Sequence, residues 1–221
     1  MNISRTILEE TSDATDDGAG VCIGKPVRGV TVALLPISDE PIESRLGGDE
    51  VPRGEVGEIT VNGPNVTATY LDRPEATRLA KINGKTEGVW HRMGDLGRFD
   101  DHGRLWFCGR KAHRVVTGET TLFTDPTEGV FNTHPDVRRT ALVGVGVGVG
   151  ATPVLCVELE AGTRRDREDI RQELLALAQK RAATTPVRTV LFHPSFPVDV
   201  RHNSKIFREK LAVWATQEIN R

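Results

Sequence analysis

The chain has 221 residues, 38% apolar and 27% charged, with a net charge of −2. That is ordinary for a globular protein and enough for one large domain or two small ones. No apolar run reaches the length that crosses a bilayer, and the basic residues are not interleaved with aromatics as a nucleic-acid surface requires. A transmembrane segment and a nucleic-acid partner are therefore excluded. The opening Met1-Asn2-Ile3-Ser4-Arg5 lacks the apolar core of a secretory signal, which gives a cytoplasmic address by default. Cys22, Cys108 and Cys156 lie far apart without CxxC spacing. All three are expected to be structural thiols, and no metal ligands are expected.

Taken in chain order, residues 1–20 are acidic, Gly-containing and aperiodic, which predicts an extended or mobile entry segment. Val27 to Ile37 alternates and is β-branched, predicting a strand. Glu50 to Gly54 is turn-like, and Glu58 to Val61 is a second strand closed by Asn62-Gly63-Pro64. Pro74 to Ala80 reads as a short helix with Pro at an early position. Val89 to His91, Gly97 to Phe99 and Leu105 to Cys108 are short strands. Together they predict a small antiparallel sheet or half-barrel.

After Gly109 the pattern changes. Val115-Val116, Arg139 to Val145, Val154 to Leu159 and Val187 to Phe192 read as strands, and Asp125 to Thr133 as a helix. Arg167 to Lys180 is the clearest helix, because Ile170, Leu174, Leu177 and Ala178 recur at helical spacing. Asp166, Glu168 and Asp169 stand at its start, as the helix dipole favours. Ser204 to Trp214 is a terminal helix. The alternating Val143 to Gly150 reads as a strand with a loose end and not as a phosphate loop, since no Lys-Ser/Thr follows. The expected class is α+β: a β-rich subdomain over residues 1–108, then a compact α+β domain over 109–221, with the boundary at Gly109-Arg110. Charge is uneven. Residues 1–50 carry 10 acidic and 4 basic side chains, whereas 161–221 carry 12 basic and 7 acidic. A solvated helix face accounts for the basic end as well as a polyphosphate does.

The chemistry concentrates between Trp90 and Glu119. Trp90-His91-Arg92-Met93-Gly94-Asp95-Leu96 leads to the turn Asp100-Asp101-His102-Gly103, the apolar strand Leu105-Trp106-Phe107-Cys108, and then Gly109-Arg110. A carboxylate at a Gly-rich strand end can accept two hydrogen bonds from a vicinal diol. A guanidinium forks onto phosphate or ribose oxygens. Taken singly, each is more readily a capping Asp or a surface ion pair. Near the other end, Phe196-Pro197 leads to Asn203-Ser204-Lys205-Ile206-Phe207-Arg208. His91, His113 and His202 read as solvated histidines.

In order and spacing these segments resemble the adenylate-forming superfamily, which includes acyl-CoA synthetases, peptide-synthetase adenylation domains and luciferases. Its motifs there are an aromatic, Arg-Thr-Gly-Asp-Leu, Asp-x-x-Gly-x-Leu, Gly-Arg and a late Thr-Gly-Lys-x-x-Arg, where this chain has Asn203-Ser204 in place of Thr-Gly. Gly54-Glu55-Val56-Gly57-Glu58-Ile59 and Tyr70-Leu71-Asp72-Arg73-Pro74-Glu75-Ala76-Thr77 also match the family's barrel subdomain. The resemblance implies an AMP-forming activation of carboxylates by ATP with Mg. Asp95 and Arg110 would bind the nucleotide. Lys205, on a mobile loop, would act on the reacting carboxylate, and Gly109, Arg110 and Ala112 would form a hinge. Ala112 stands where many relatives carry Asp or Lys.

Within the superfamily, the segments from Cys108 to Phe123 and from Arg201 to Ala215 are similar to the β-lactone synthetases of bacterial long-chain olefin biosynthesis. That implies a long-chain β-hydroxy fatty acid as substrate and other olefin-pathway enzymes as partners. Thr117-Gly118-Glu119 and Asp125-Pro126-Thr127-Glu128 depart from the family's thiol-acceptor segment, which leaves CoA use open. A long-chain fatty acyl-CoA ligase and a non-catalytic α+β docking module remain as alternatives. The family's phosphate loop is missing, so the chain is expected to be the C-terminal portion of a longer enzyme and inactive by itself without the N-terminal portion.

Overall fold

The computed structural model describes every residue except Leu46, Glu87, Val147 and Val200, together with the side chains of all but those and His202, Asn203 and Ser204. It divides into two units, Met1–Thr11 with Val21–Ala112, and Ser12–Gly20 with His113–Arg221.

The entry segment is not extended. Residues Arg5–Asp16 form helix α1. Ile7, Thr11, Ala14 and Thr15 recur at helical spacing and are the residues sheltered from solvent, a stripe easily missed because Thr and Ala are weakly apolar. Ser4 Oγ accepts the amide of Ile7 at the N-terminus. At the other end Gly18, with φ of 89°, takes the left-handed position, and the Ala19 amide bonds back to the Ala14 carbonyl.

The first unit is built on strands β1 (Val21–Gly24), β2 (Thr31–Leu35), β3 (Ser44–Arg45), β4 (Gly57–Asn62), β5 (Lys81–Gly84), β6 (Val89–Phe99) and β7 (Leu105–Arg110), with helix α2 (Pro74–Ala80) between β4 and β5. They make one seven-stranded sheet with the path β1-β7-β6-β4-β2, and β5 and β3 branch from β6. Pairing is antiparallel except for β3 with β5. The sheet is open and not a closed barrel. Val89 to His91 and Gly97 to Phe99, expected as separate strands, are one 11-residue strand, because the intervening Arg92 to Leu96 also finds partners in β4 and β7. The strand expected over 27–37 is paired only from Thr31 to Leu35. Both faces of β2 are covered. Ala33 and Leu35 pack with Ile82 and Trp90, while Leu34 packs with Ile59 and Leu105.

The turn from β6 to β7 hangs on Asp100. Its carboxylate accepts the amides of His102 and Arg104, the Arg104 guanidinium at 2.6 Å and the Trp106 indole N–H at 2.9 Å. Burial pushes this carboxyl up, but Trp106, the Arg104 side chain and the Arg104 amide outweigh it and bring the pKa down to about 2. A folded pKa below the usual 3.8 means stability that is present above that value and lost as pH falls through about 2. Asp100→Ala is expected to remove about 1–3 kcal/mol of stability at neutral pH and to flatten the acid limb between pH 4 and pH 2, as read by urea unfolding at stepped pH. An acid limb identical to the parent's would remove this role from Asp100.

The short turn Lys111–His113 spans the border between the units in sequence, and the second unit holds the hairpin β8 (Val115–Val116) and β9 (Thr121–Leu122), followed by α3 (Thr124–Phe131), β10 (Val137–Val145), β11 (Thr152–Leu159), α4 (Arg167–Ala178), β12 (Thr189–Phe192), β13 (Val198–Asp199), β14 (His202–Ile206) and α5 (Arg208–Ile219). The central sheet runs β10-β11-β12, antiparallel and then parallel. Its middle strand is apolar on both sides, as a strand covered on two faces must be. Leu155 and Val157 pack with Phe131, Ile170 and Leu174 on the α3–α4 face, and Val154 and Cys156 with Phe196, Leu211 and Ala215 on the α5 face.

β10 ends at Val145, and Gly146, at φ of 105°, turns away from the ladder; Val147 of the alternating run lies outside the described residues. The terminal helix starts later than its sequence pattern. Ile206 pairs with Val198, and the Phe207 amide bonds to the Pro197 carbonyl, which holds these residues extended and delays the helix to Arg208. All three cysteines are buried thiols, and none is joined in a disulfide.

Candidate nucleotide site

Asp95 stands where β6 changes partners. Upstream, Val89 to His91 pair with β5; downstream, Asp95 to Phe99 pair with β7. Opposite β4, two steps from Glu58 to Thr60 answer four steps from Leu96 to Arg92, so β6 bulges over Met93 to Asp95. Gly94 makes the bulge possible with a φ of 67°, in the left-handed region that residues with a Cβ adopt reluctantly. Bulges re-aim side chains. Here the re-aiming leaves Asp95 directly across the ladder from Arg110, the last residue of β7.

Arg110 Nη1 lies 2.9 Å from Asp95 Oδ1, with 58% of the Arg110 side chain exposed against 21% for Asp95. The two form a close ion pair whose geometry is not that of a well-directed hydrogen bond, and Oδ1 is shielded from solvent. Burial pushes the Asp95 carboxyl up, and both the charge and the side-chain contact of Arg110 oppose it. A shielded acceptor without a well-directed donor costs free energy, and a ligand hydroxyl is one way to satisfy it. Gly109, with φ of 116°, pairs with Leu96, and Ala112 lies exposed in the turn after β7. Thus Asp95, Gly109, Arg110 and Ala112 stand together in the first unit.

Lys205 belongs to the second unit. It is exposed on β14, whose pairing with β13 joins Val198 to Ile206 and Asp199 to His202. It therefore sits on a paired hairpin and not on an unpaired loop. Asp199, bonded to Arg201 at 3.1 Å, has its carboxyl lowered first by Arg201, with the Lys205 charge contributing. The side chain of His202 lies outside the described residues. His91 is not a solvated histidine: it is half-buried, edge-on to Tyr70, with Nδ1 3.2 Å from the Ala80 carbonyl. Burial pushes its pKa down, against the Ala80 contact.

Two buried charge clusters were not read from the sequence. Glu58 binds Arg92 at 2.7 Å and Lys111 at 3.2 Å. Glu128 binds Arg208 through both carboxylate oxygens and accepts the Leu142 amide at 2.7 Å. Glu128 is therefore a core residue, whereas Glu119 is exposed in the β8–β9 turn. The signal available for the second cluster was that Glu128 and Arg208 both fall on superfamily motif positions.

Against known structures, the fold is that of the C-terminal part of adenylate-forming enzymes. The amide bond synthetase McbA from Marinactinospora thermotolerans superposes with a TM-score of 0.68 at 28% identity, over 88% of this chain and 36% of that one. The ATP-bound RpMatB-BxBclM chimera B1 gives 0.69 at 25% identity, over 88% and 36%. In sequence, the olefin beta-lactone synthetase of Xanthomonas campestris pv. campestris is 49% identical over 216 residues, which is 96% of this chain. The chain spans 39% of that relative's length and corresponds to its C-terminal part. No family model matches. Among the described residues, no helix is long and apolar enough to cross a membrane.

Proposed function

We propose that this chain is the nucleotide-clamping and lid portion of an ATP-dependent carboxylate-activating enzyme, a β-lactone synthetase acting on long-chain β-hydroxy acids in olefin biosynthesis. The observation that carries the reading is the solvent-shielded Oδ1 of Asp95, held only by a poorly directed contact with the exposed Arg110 guanidinium. A ribose diol supplies well-directed donors, and the exposed guanidinium lies within reach of ribose or phosphate oxygens. The likeness to an ATP-bound structure and to an olefin beta-lactone synthetase supports the substrate class.

In this reading a carboxylate oxygen of the substrate attacks the α-phosphorus of Mg-bound ATP, and pyrophosphate leaves. The substrate's own β-hydroxyl then attacks the acyl carbon, losing its proton as AMP departs and the four-membered lactone closes. No thiol acceptor is needed, so CoA has no part. Lys205 contributes an ammonium to the charge that builds on the carboxylate and α-phosphate oxygens. The joint expected over Gly109, Arg110 and Ala112 narrows in this reading to Ala112, because Gly109 and Arg110 are held in the β6–β7 ladder. An N-terminal portion supplies the triphosphate loop and acyl pocket, in a cytoplasmic enzyme that works beside others of the olefin pathway. Mg enters in this reading bound to the ATP.

AMP titrated into the 221-residue chain is expected to shift the NMR resonances of Asp95 and Arg110. Asp95→Ala should weaken AMP binding by about tenfold or more, the cost of one or two charge-assisted hydrogen bonds. If Asp95→Ala, still folded, binds AMP as tightly as the parent, the clamp assignment is wrong and the docking-module alternative gains ground.

A further inference from the structure

Arg110 has few constraints of its own. Apart from Asp95, its one hydrogen bond among the described residues is a long 3.4 Å contact from Nη1 to the Met93 carbonyl. The next residue is held quite differently. Lys111 Nζ donates to the Ser38 carbonyl at 2.6 Å and to the Glu58 carboxylate at 3.2 Å. Glu58 is 2% exposed and shares its charge with Arg92, 3% exposed. Arg92 in turn donates to the carbonyls of Ser38, Glu40 and Leu79. A single buried carboxylate thus binds two cations, and one of them is the first residue beyond β7.

We propose that Lys111 is a positioning residue: its anchorage on Glu58 and Ser38 fixes the end of β7, keeps Arg110 opposite Asp95, and confines flexing to the chain after Lys111. A strand end frays unless something ties it down. The ladder reaches only Arg110, so the first tie beyond it decides how far fraying runs back. A charged hydrogen bond to a 2%-exposed carboxylate is a strong tie. Ala112, exposed and next in line, has no side chain able to make such a bond. The consequence for nucleotide binding rests on the reading of Asp95 and Arg110 given above; the anchorage does not.

Amide hydrogen exchange of the 221-residue chain without nucleotide tests it. Lys111→Met is expected to speed exchange about tenfold in the segment 107–112, leaving α4 and the Asp100 turn unchanged. Glu58→Gln should act in the same segment, and Lys111→Arg should restore protection. Unchanged exchange at 107–112 in Lys111→Met overturns the proposal, and so does a rise spread evenly over the first unit, which a merely structural role gives. Since no nucleotide is present, a failure of AMP to bind leaves this outcome standing on its own.

Discussion

Arg208→Ala should lower the unfolding free energy of the second unit by about 3–5 kcal/mol, the range measured when one member of a buried ion pair is removed. Glu128 and Arg208 are 11% and 15% exposed in their side chains and meet through two nitrogens and two oxygens. Around them the bonding is nearly complete: Glu128 Oε1 also accepts the Leu142 amide, and Arg208 Nη1 also donates to the Leu142 carbonyl at 3.2 Å. Burial pushes the Glu128 carboxyl up, and the Arg208 charge is the main opposing influence. Without the guanidinium, Glu128 is left with its burial cost and without its main opposing charge.

The measurement is the urea midpoint of the parent, Arg208→Ala, Glu128→Gln and the pair Glu128→Gln/Arg208→Met. The double variant should recover much of the loss, because two neutral groups of similar volume no longer carry an uncompensated charge. A loss under about 1 kcal/mol in Arg208→Ala, the size of an exposed pair, would show that the cluster is solvated. The cluster also bears on chemistry. Arg208 begins α5 three residues after Lys205, so this anchor ties down one end of the strand that carries the lysine.

Lys205→Ala should slow adenylation by about 10²–10³-fold while changing AMP affinity little. That is the size of effect found when one group stabilising transition-state charge is deleted. The readout is ATP–pyrophosphate exchange with the chain joined to the N-terminal portion that its relatives possess; the 221 residues alone should give none. Lys205→Arg should not rescue the rate, since a planar fork replaces a compact point charge. Lys205 is exposed on β14, so its truncation removes no buried contact, and the urea midpoint of Lys205→Ala should equal the parent's. An exchange rate equal to the parent's in Lys205→Ala would falsify the role.

Some of this was legible before any coordinates. Arg167 to Lys180 announced its helix through Ile170, Leu174 and Ala178, which all reach the core, because a long period is hard to produce by chance. Pro74 to Ala80 and Val154 to Leu159 were equally readable. Helix α1 was not, because its inward stripe is Thr and Ala under a surface of acids. The terminal helix was placed too early, because its first residues pair with a strand that local pattern does not reveal.

The sequence by itself determined the order of α and β elements, the Gly-Asp and Gly-Arg segments, and the likeness to adenylate-forming enzymes. All of these are written in local pattern and in motif order. Only the tertiary structure decided that a bulge at Gly94 sets Asp95 against Arg110, that Oδ1 is shielded from solvent, and that Glu58 and Glu128 are buried hubs. These depend on contacts between residues far apart in the chain, 34 positions for Glu58 with Arg92 and 80 for Glu128 with Arg208. Burial turns such contacts from solvated charges into strong constraints, and burial is a property of the packed fold rather than of any short stretch of sequence.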